Sequence, residues 1–405
     1  MTETLLATAV LVLLIIILSL LVMGARHALQ PALPVTITVN GRTEIQGTTG
    51  QKLLAALKDG GLPIPTGCGG AGTCGLCRVK IHDAGQPLPT EVGVLGPAAV
   101  AKGDRLACQT VVRRDLSIVL PEDMLAAESW TCRVLSNTQM APLIKELVLE
   151  LPDGAAFAFT AGNFAQVTAP AYRLDFKDIE VAPAFRPVWD KLDARTLTSA
   201  STVPVSRAYS IANRPQDEGK IVLDIRLALP PPHADGVPPG VVSSYLFSLR
   251  PGDNLVAAGP YGDFRAQETE AEMVFIGGGV GMAPLRAIIH DQLERLGTNR
   301  RISFWYGARS QSDLFYVREF EELAAKHPNF RWTPALSDPA PEGGWTGATG
   351  FVHQVALDRY LGQHPAPESC EYYLCGPPLM MRAVTRMLDD LGVDPDHIFF
   401  DDFAS

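Results

Sequence analysis

Apolar and polar positions take four successive textures along this chain. Residues 5–23 are apolar apart from Thr8 and Ser19, and at about 1.5 Å rise per residue a helix of that length spans roughly 30 Å, the hydrocarbon core of a bilayer. A cleaved signal peptide carries positive charge ahead of its apolar stretch. Here Glu3 precedes it and Arg26 follows, so the pattern predicts an uncleaved single-pass anchor over residues 1–26 with the rest of the chain in the cytoplasm. Next, Val35-Thr36-Ile37-Thr38-Val39 alternates with period two and ends at Asn40-Gly41, a hairpin signal. Leu53, Leu54 and Leu57 form a helical stripe before Gly60-Gly61, and residues 116–120 read as a closing strand, giving an α+β unit over 34–126. Short apolar runs at 147–151, 221–229 and 255–258, broken by Pro and Gly, predict an antiparallel β-barrel over 130–268. Within it, residues 170–205 are interrupted by proline and charge and are too long for an ordinary barrel loop, so they read as an insertion. From Met273 strands alternate with helices (273–276 then 283–296, 302–306 then 314–326, 372–374 then 379–391). That alternation predicts an α/β domain with a parallel sheet over 270–405.

Composition narrows the picture. A chain of 405 residues, 47% of them hydrophobic, fills two or three cores rather than one. The net charge of -10 argues against the basic surface that a nucleic-acid partner requires. Seven cysteines, three of them crowded into residues 68–77, fit metal ligation in a reducing compartment better than a disulfide framework. Neither an H-E-x-x-H helix nor a G-x-S-x-G elbow is present, which disfavours hydrolysis.

Cys68-Gly-Gly-Ala-Gly-Thr-Cys74-Gly-Leu-Cys77, followed later by Cys108, offers four thiolates, three of them on a glycine-rich loop whose amides can turn toward sulfur. Zinc ribbons use two separated C-x2-C pairs, and only Cys74 and Cys77 have that spacing. The five residues between Cys68 and Cys74 resemble the adrenodoxin-like branch of the 2Fe–2S ferredoxins. Cys132 and Cys370 lack such a setting and read as packed thiols.

Arg207-Ala208-Tyr209-Ser210 resembles the R-x-Y-S motif of the ferredoxin-NADP reductase superfamily. Arg207 suits a pyrophosphate, Tyr209 offers a flat face to a ring system, and Ser210 can exchange a hydrogen bond near flavin N5. A surface arginine beside a half-buried strand tyrosine has the same pattern. Gly240, Ser243 and Ser244 follow at a helix start whose N–H groups can hold phosphate, and together the two segments predict FAD. Gly277-Gly278-Gly279-Val280-Gly281 lies between strand and helix, where glycine admits a dinucleotide, although a purely structural turn looks alike. Cys375-Gly376-Pro377, again after a strand, is similar to the reductases' nicotinamide-side loop, in which the cysteine approaches the hydride; packing alone is the alternative for Cys375. Phe403 at the tail matches the aromatic that stacks on flavin in these reductases, as a core aromatic also would.

Taken in order, anchor, ferredoxin-like unit, barrel and nucleotide domain resemble the F subunits of the bacterial sodium-translocating NADH:quinone oxidoreductases over essentially the whole chain. The tail departs from that family, ending Ala404-Ser405 instead of glycine after the last phenylalanine. The resemblance implies a β-grasp ferredoxin domain holding a 2Fe–2S cluster on Cys68, Cys74, Cys77 and Cys108, with Ser210 and Cys375 beside the hydride path. It also implies hydride transfer from NADH to FAD, then single electrons through the cluster to other subunits of the complex and indirectly to quinone, with sodium transport, at the bacterial inner membrane. NADH rests on the family, because Arg309 and Ser310 would tolerate a 2′-phosphate. The alternative is the NADH-dependent reductase component of a bacterial oxygenase, which combines the same modules without an anchor.

Overall fold

The computed structural model describes residues 11–19, 21, 32–62, 64–121, 124–125, 127–155, 157–231 and 236–401. They fall into two compact units, one ending at Leu125 and one running from Ala126, with the short stretch Pro65–Gly69 grouped into the second. Among the described residues no helix is long and apolar enough to cross a membrane. Of the expected anchor, residues 11–19 are helical and Leu11 through Leu18 expose their apolar side chains; most of the remainder lies outside the described residues.

The first unit is a five-stranded sheet of order β2-β1-β5-β3-β4, with β1 Pro34–Val39, β2 Thr43–Thr48, β3 Arg78–Ile81, β4 Asp104–Leu106 and β5 Leu116–Val119. Asn40 and Gly41 both take positive φ (51° and 67°), which matches the right-handed twist of the β1–β2 hairpin. β1 then pairs with β5 in parallel, the mixed arrangement of a β-grasp. Helix α1, Leu53–Asp59, buries Leu53, Leu54 and Leu57 against this sheet's core.

The second unit begins with a six-stranded antiparallel sheet of order β11-β8-β13-β6-β7-β12. Its strands are β6 Glu128–Ala141, β7 Ile144–Glu150, β8 Phe164–Ala169, β11 Val205–Ser210, β12 Lys220–Arg226 and β13 Asn254–Tyr261. An antiparallel bridge between Ile211 and Leu223 joins the two edge strands and closes the barrel, so that neither long edge is left open. The insertion is part of this core. It forms a two-stranded hairpin, β9 Tyr172–Asp175 with β10 Thr198–Ser201, and a short helix α2, Arg186–Lys191. Phe176 and Trp189 are fully buried, and Trp189 Nε1–H donates to the Pro142 carbonyl at 2.7 Å. A buried tryptophan of this kind contributes about 3–5 kcal/mol. Prolines that broke the period in sequence therefore sit between residues that pack as firmly as the strands do.

The rest of the second unit is a six-stranded, wholly parallel sheet of order β17-β16-β15-β14-β18-β19. Its strands are β14 Met273–Gly278, β15 Ile302–Ala308, β16 Phe330–Leu336, β17 Ala348–Thr349, β18 Glu371–Cys375 and β19 Ile398–Asp401. β14 and β18 are buried at every position, as expected of strands covered on both faces. Strand order reverses at β14, which pairs with β15 on one side and β18 on the other, so a crevice opens at the carboxyl ends of these strands.

Candidate functional site

In the first unit β3 and the turn after β4 bring Cys77 and Cys108 together. Ala107 N–H donates to the Cys77 carbonyl at 2.9 Å, and both cysteines are buried. The Cys77 thiol is pushed far above the ordinary range by its hydrogen bond with Cys108 and then by burial, with the charge of Cys74 adding to the effect. Two buried sulfurs, those of Cys77 and Cys108, thus meet, with Cys74 near enough to act on them by its charge, and a cation that replaces their protons is the natural relief. Gly70, Gly72 and Gly75 all take positive φ between Cys68 and Cys77, so the loop follows a path closed to other residues. Gln109 carries no sequence motif, yet its Nε2 donates to the Gly70 carbonyl at 3.1 Å and to Cys108 Sγ at 3.5 Å. Only its place beside Cys108 could have flagged it. Cys68 stands in the stretch Pro65–Gly69.

On the barrel, β11 carries Arg207, Tyr209 and Ser210, with Ser210 opposite Phe164 of β8. Arg207 Nη1 donates to its neighbour's carbonyl, that of Ser206, at 2.9 Å. Burial raises the pKa of the Tyr209 phenol, so this ring stays neutral. Helix α3, Val241–Ser248, starts after Gly240, where a Cβ would lie 2.7 Å from Ser243 Oγ. Ser243 Oγ accepts from Ala228 N–H at 3.2 Å and donates to the Gly240 carbonyl at 3.1 Å. Ser244 Oγ is buried in the helix's first turn with no partner among the described residues. An orphaned hydroxyl among freed N–H groups fits a phosphate oxygen, which is what a bound FAD would bring there. Tyr172 of the insertion packs its ring at a tilt against Tyr245, centroids 5.2 Å apart, and donates to the Val241 carbonyl, bracing this turn.

In the nucleotide domain, Gly277 and Gly278 end β14, and Gly279 and Gly281 lead into helix α4, Met282–His290. A Cβ on Gly278 would meet Met380 Sδ at 3.0 Å, and one on Gly281 would overlap the Cys375 carbonyl. Cys375, buried at the end of β18, is in register with Gly277 on one side and Asp401 on the other. Asp401 in turn accepts the Ser210 hydroxyl at 2.8 Å. The convergence of Ser210, Asp401, Cys375 and Gly277 joins the barrel to the sheet. Gly376 lies against Gly278 N and Met380, and Pro377 precedes helix α7 (counting Val317–Lys326 as α5 and Val352–Arg359 as α6), which spans Pro378–Asp390. Phe403 lies outside the described residues. Asp401 is a part that sequence reasoning missed: it stood within the tail but carried no motif.

A cavity of about 900 Å³ opens from Gly278, Gly279 and Pro377 past Arg309 and Ser310. Its volume suits a dinucleotide. Arg309 Nε pairs with Asp338 at 3.3 Å and Ser310 Oγ with Asp313 at 2.7 Å, so both groups that by sequence would tolerate a 2′-phosphate already face carboxylates.

Comparison with known proteins agrees with this layout. Residues 37–113 match the 2Fe-2S iron-sulfur cluster binding domain, 194–266 the oxidoreductase FAD-binding domain and 275–386 the oxidoreductase NAD-binding domain. A solved ferredoxin reductase in carbazole 1,9a-dioxygenase shares the fold at TM-score 0.60 and 23% identity, covering 92% of this chain and 99% of its own. The F subunit of the Na(+)-translocating NADH-quinone reductase of Methylococcus capsulatus is 47% identical over 96% of each chain. Its counterpart in Yersinia pseudotuberculosis is 46% identical over 99% of this chain and 100% of its own. With identity at this level from end to end, the chain belongs to the family of F subunits of the Na(+)-translocating NADH-quinone reductases.

Proposed function

We propose that this chain is the electron-input subunit of a membrane NADH:quinone oxidoreductase coupled to sodium transport. When bound, FAD supplies the conversion between a two-electron hydride and the one-electron 2Fe–2S cluster. The residues' work is binding and placement. Cys68, Cys74, Cys77 and Cys108 would ligate the cluster. Arg207, Tyr209, Gly240, Ser243 and Ser244 would hold the flavin, and Phe403 would cover it. Gly277, Gly278, Gly279, Gly281, Gly376 and Pro377 would let the dinucleotide approach the backbone. Because Ser210 donates its proton to Asp401, its oxygen is left to accept an N–H hydrogen bond, while Cys375 is held in place by strand register on both sides. The carboxylates at Arg309 and Ser310 favour NADH over NADPH by repelling a 2′-phosphate and accepting from ribose hydroxyls.

The observation that carries this reading is the meeting of Ser210, Asp401 and Cys375, which joins the barrel to the nucleotide crevice. We further read residues 1–26 as the membrane anchor, on the strength of the exposed apolar helix at 11–19, with 34–126, 130–268 and 270–405 as the cytoplasmic cluster, flavin and nucleotide domains. Other subunits of the complex would take the electrons onward to quinone at the inner membrane. Replacing Cys74 with alanine in the assembled complex tests the order of carriers. Quinone reduction should vanish while NADH oxidation by a small artificial acceptor stays within about twofold. Equal loss of both activities contradicts the order.

A further inference from the structure

The nucleotide cavity has a second wall, which the insertion and the barrel supply. Besides the glycine turn, it is lined by Leu143 of the barrel, by Lys191 and Leu192 at the end of α2, and by Arg226 at the end of β12. Two contacts fix that wall. Trp189, two residues before Lys191, is fully buried and donates to the carbonyl of Pro142, the neighbour of Leu143. Leu192 N–H donates back to the Val188 carbonyl at 3.1 Å, closing the helix at that point. Leu192 is nevertheless 45% exposed, a large apolar side chain left on the surface of a cavity.

Charge points the same way. Arg309 lines the cavity too, but Asp338 already holds it. Lys191 and Arg226 have no ion pair among the described residues. A dinucleotide pyrophosphate carries two negative charges, and two uncommitted cations in one cavity complement it.

We propose that the 170–205 insertion is a substrate-binding element. Lys191, with Arg226, neutralises the pyrophosphate of NADH, and Leu192 packs against the dinucleotide's apolar faces. This rests on the cavity being the nucleotide site. In the full chain, Lys191→Glu should raise the KM for NADH about tenfold and leave kcat within about twofold, as expected for a charge that acts on binding alone. The gap should narrow between about 0.05 M and 0.5 M salt, because the cation is exposed and screened, and Lys191→Arg should restore most of the affinity. A fall in kcat at unchanged KM, or a gap insensitive to salt, would overturn the proposal in favour of a structural role. Amide hydrogen exchange of the wild-type chain with and without NAD+ keeps the two levels apart. Protection of residues 277–281 together with an unchanged KM in Lys191→Glu overturns the wall's role alone. No protection there removes the nucleotide reading and this proposal with it.

Discussion

The cysteine loop and the nucleotide turn are both dense in glycine, and the two need it for different reasons. In the loop, Gly70, Gly72 and Gly75 have φ of 95°, 84° and 75°, and a Cβ on Gly70 would find its nearest neighbour 3.9 Å away. Gly70 is glycine because of backbone conformation alone, whereas a Cβ on Gly72 would also lie 2.6 Å from Gln109 Nε2, the far end of a flexible side chain. In the turn, Gly278 and Gly281 have φ of -162° and -61°, values open to any residue, yet a Cβ would run into Met380 or into the carbonyl of Cys375. Here glycine is a matter of space. The first kind shapes a loop that can wrap sulfur; the second lets two elements touch backbone to backbone.

Gly281→Ala should break the comparison most sharply. The added methyl must drive the start of α4 away from the end of β18, and overpacking against a rigid backbone costs about 3 kcal/mol or more. Thermal unfolding should shift down and NADH oxidation should be lost; a variant as stable and active as wild type would refute the packing argument.

A smaller effect tests what holds the crevice to the barrel. Tyr316, just before α5, donates to Glu146 at 2.6 Å or to Asp224 at 2.9 Å, and its ring lies under Arg286 of α4. Burial pushes the Asp224 carboxyl up to about 7 despite the pull of Arg286, and its Oδ2 has no hydrogen-bond partner among the described residues. Glu319 is held down to about 2: burial opposes ionisation, but hydrogen bonds from His290 and Arg286 outweigh it. The two windows separate. Stabilisation from Glu319 is complete above its unfolded value and is lost only as pH falls toward 2. For Asp224 the folded state binds the proton more tightly than the unfolded, so stability declines as pH rises from about 4 to 7. Asp224→Asn should therefore gain on wild type between pH 5 and pH 8, by about 2 kcal/mol or roughly 5 °C in melting temperature. A gap that does not change with pH would rule this out.

Gly70→Ala should do least. Its cost is a left-handed backbone angle, about 1 kcal/mol, with no collision to relieve. Iron content and cluster spectra should stay near wild type; loss of the cluster would mean that Gly70 too is there for space.

Much of this was legible locally. The period-two run at β1, the turn at Asn40-Gly41, the stripe of Leu53, Leu54 and Leu57 and the strand–helix alternation after Met273 each depend on neighbours a few residues apart. The cysteine spacing is legible for the same reason. What sequence reasoning missed is long-range. Asp401 meets Ser210 across 191 positions, and Trp189 meets Pro142 across 47. No periodic signal encodes such contacts. The insertion was opaque because its prolines and charges interrupt any period, although its aromatic residues, Tyr172, Phe176 and Trp189, do the packing. In sequence Gly277 to Gly281 look like room made for a ligand, whereas the protein itself takes part of that room.

The absence of a side chain at Gly281 gives the crevice the mechanics of a linkage. Start of helix and end of strand bear directly on each other, and close-packed matter does not absorb a push. The strand's last residue runs in step with Asp401, and Asp401 grips a hydroxyl on the barrel. The Gly281 turn, the end of β18, Asp401 and the Ser210 hydroxyl thus form one unbroken run of contacts from sheet to barrel, and the place of the Ser210 oxygen depends on a glycine that lies far from it in sequence.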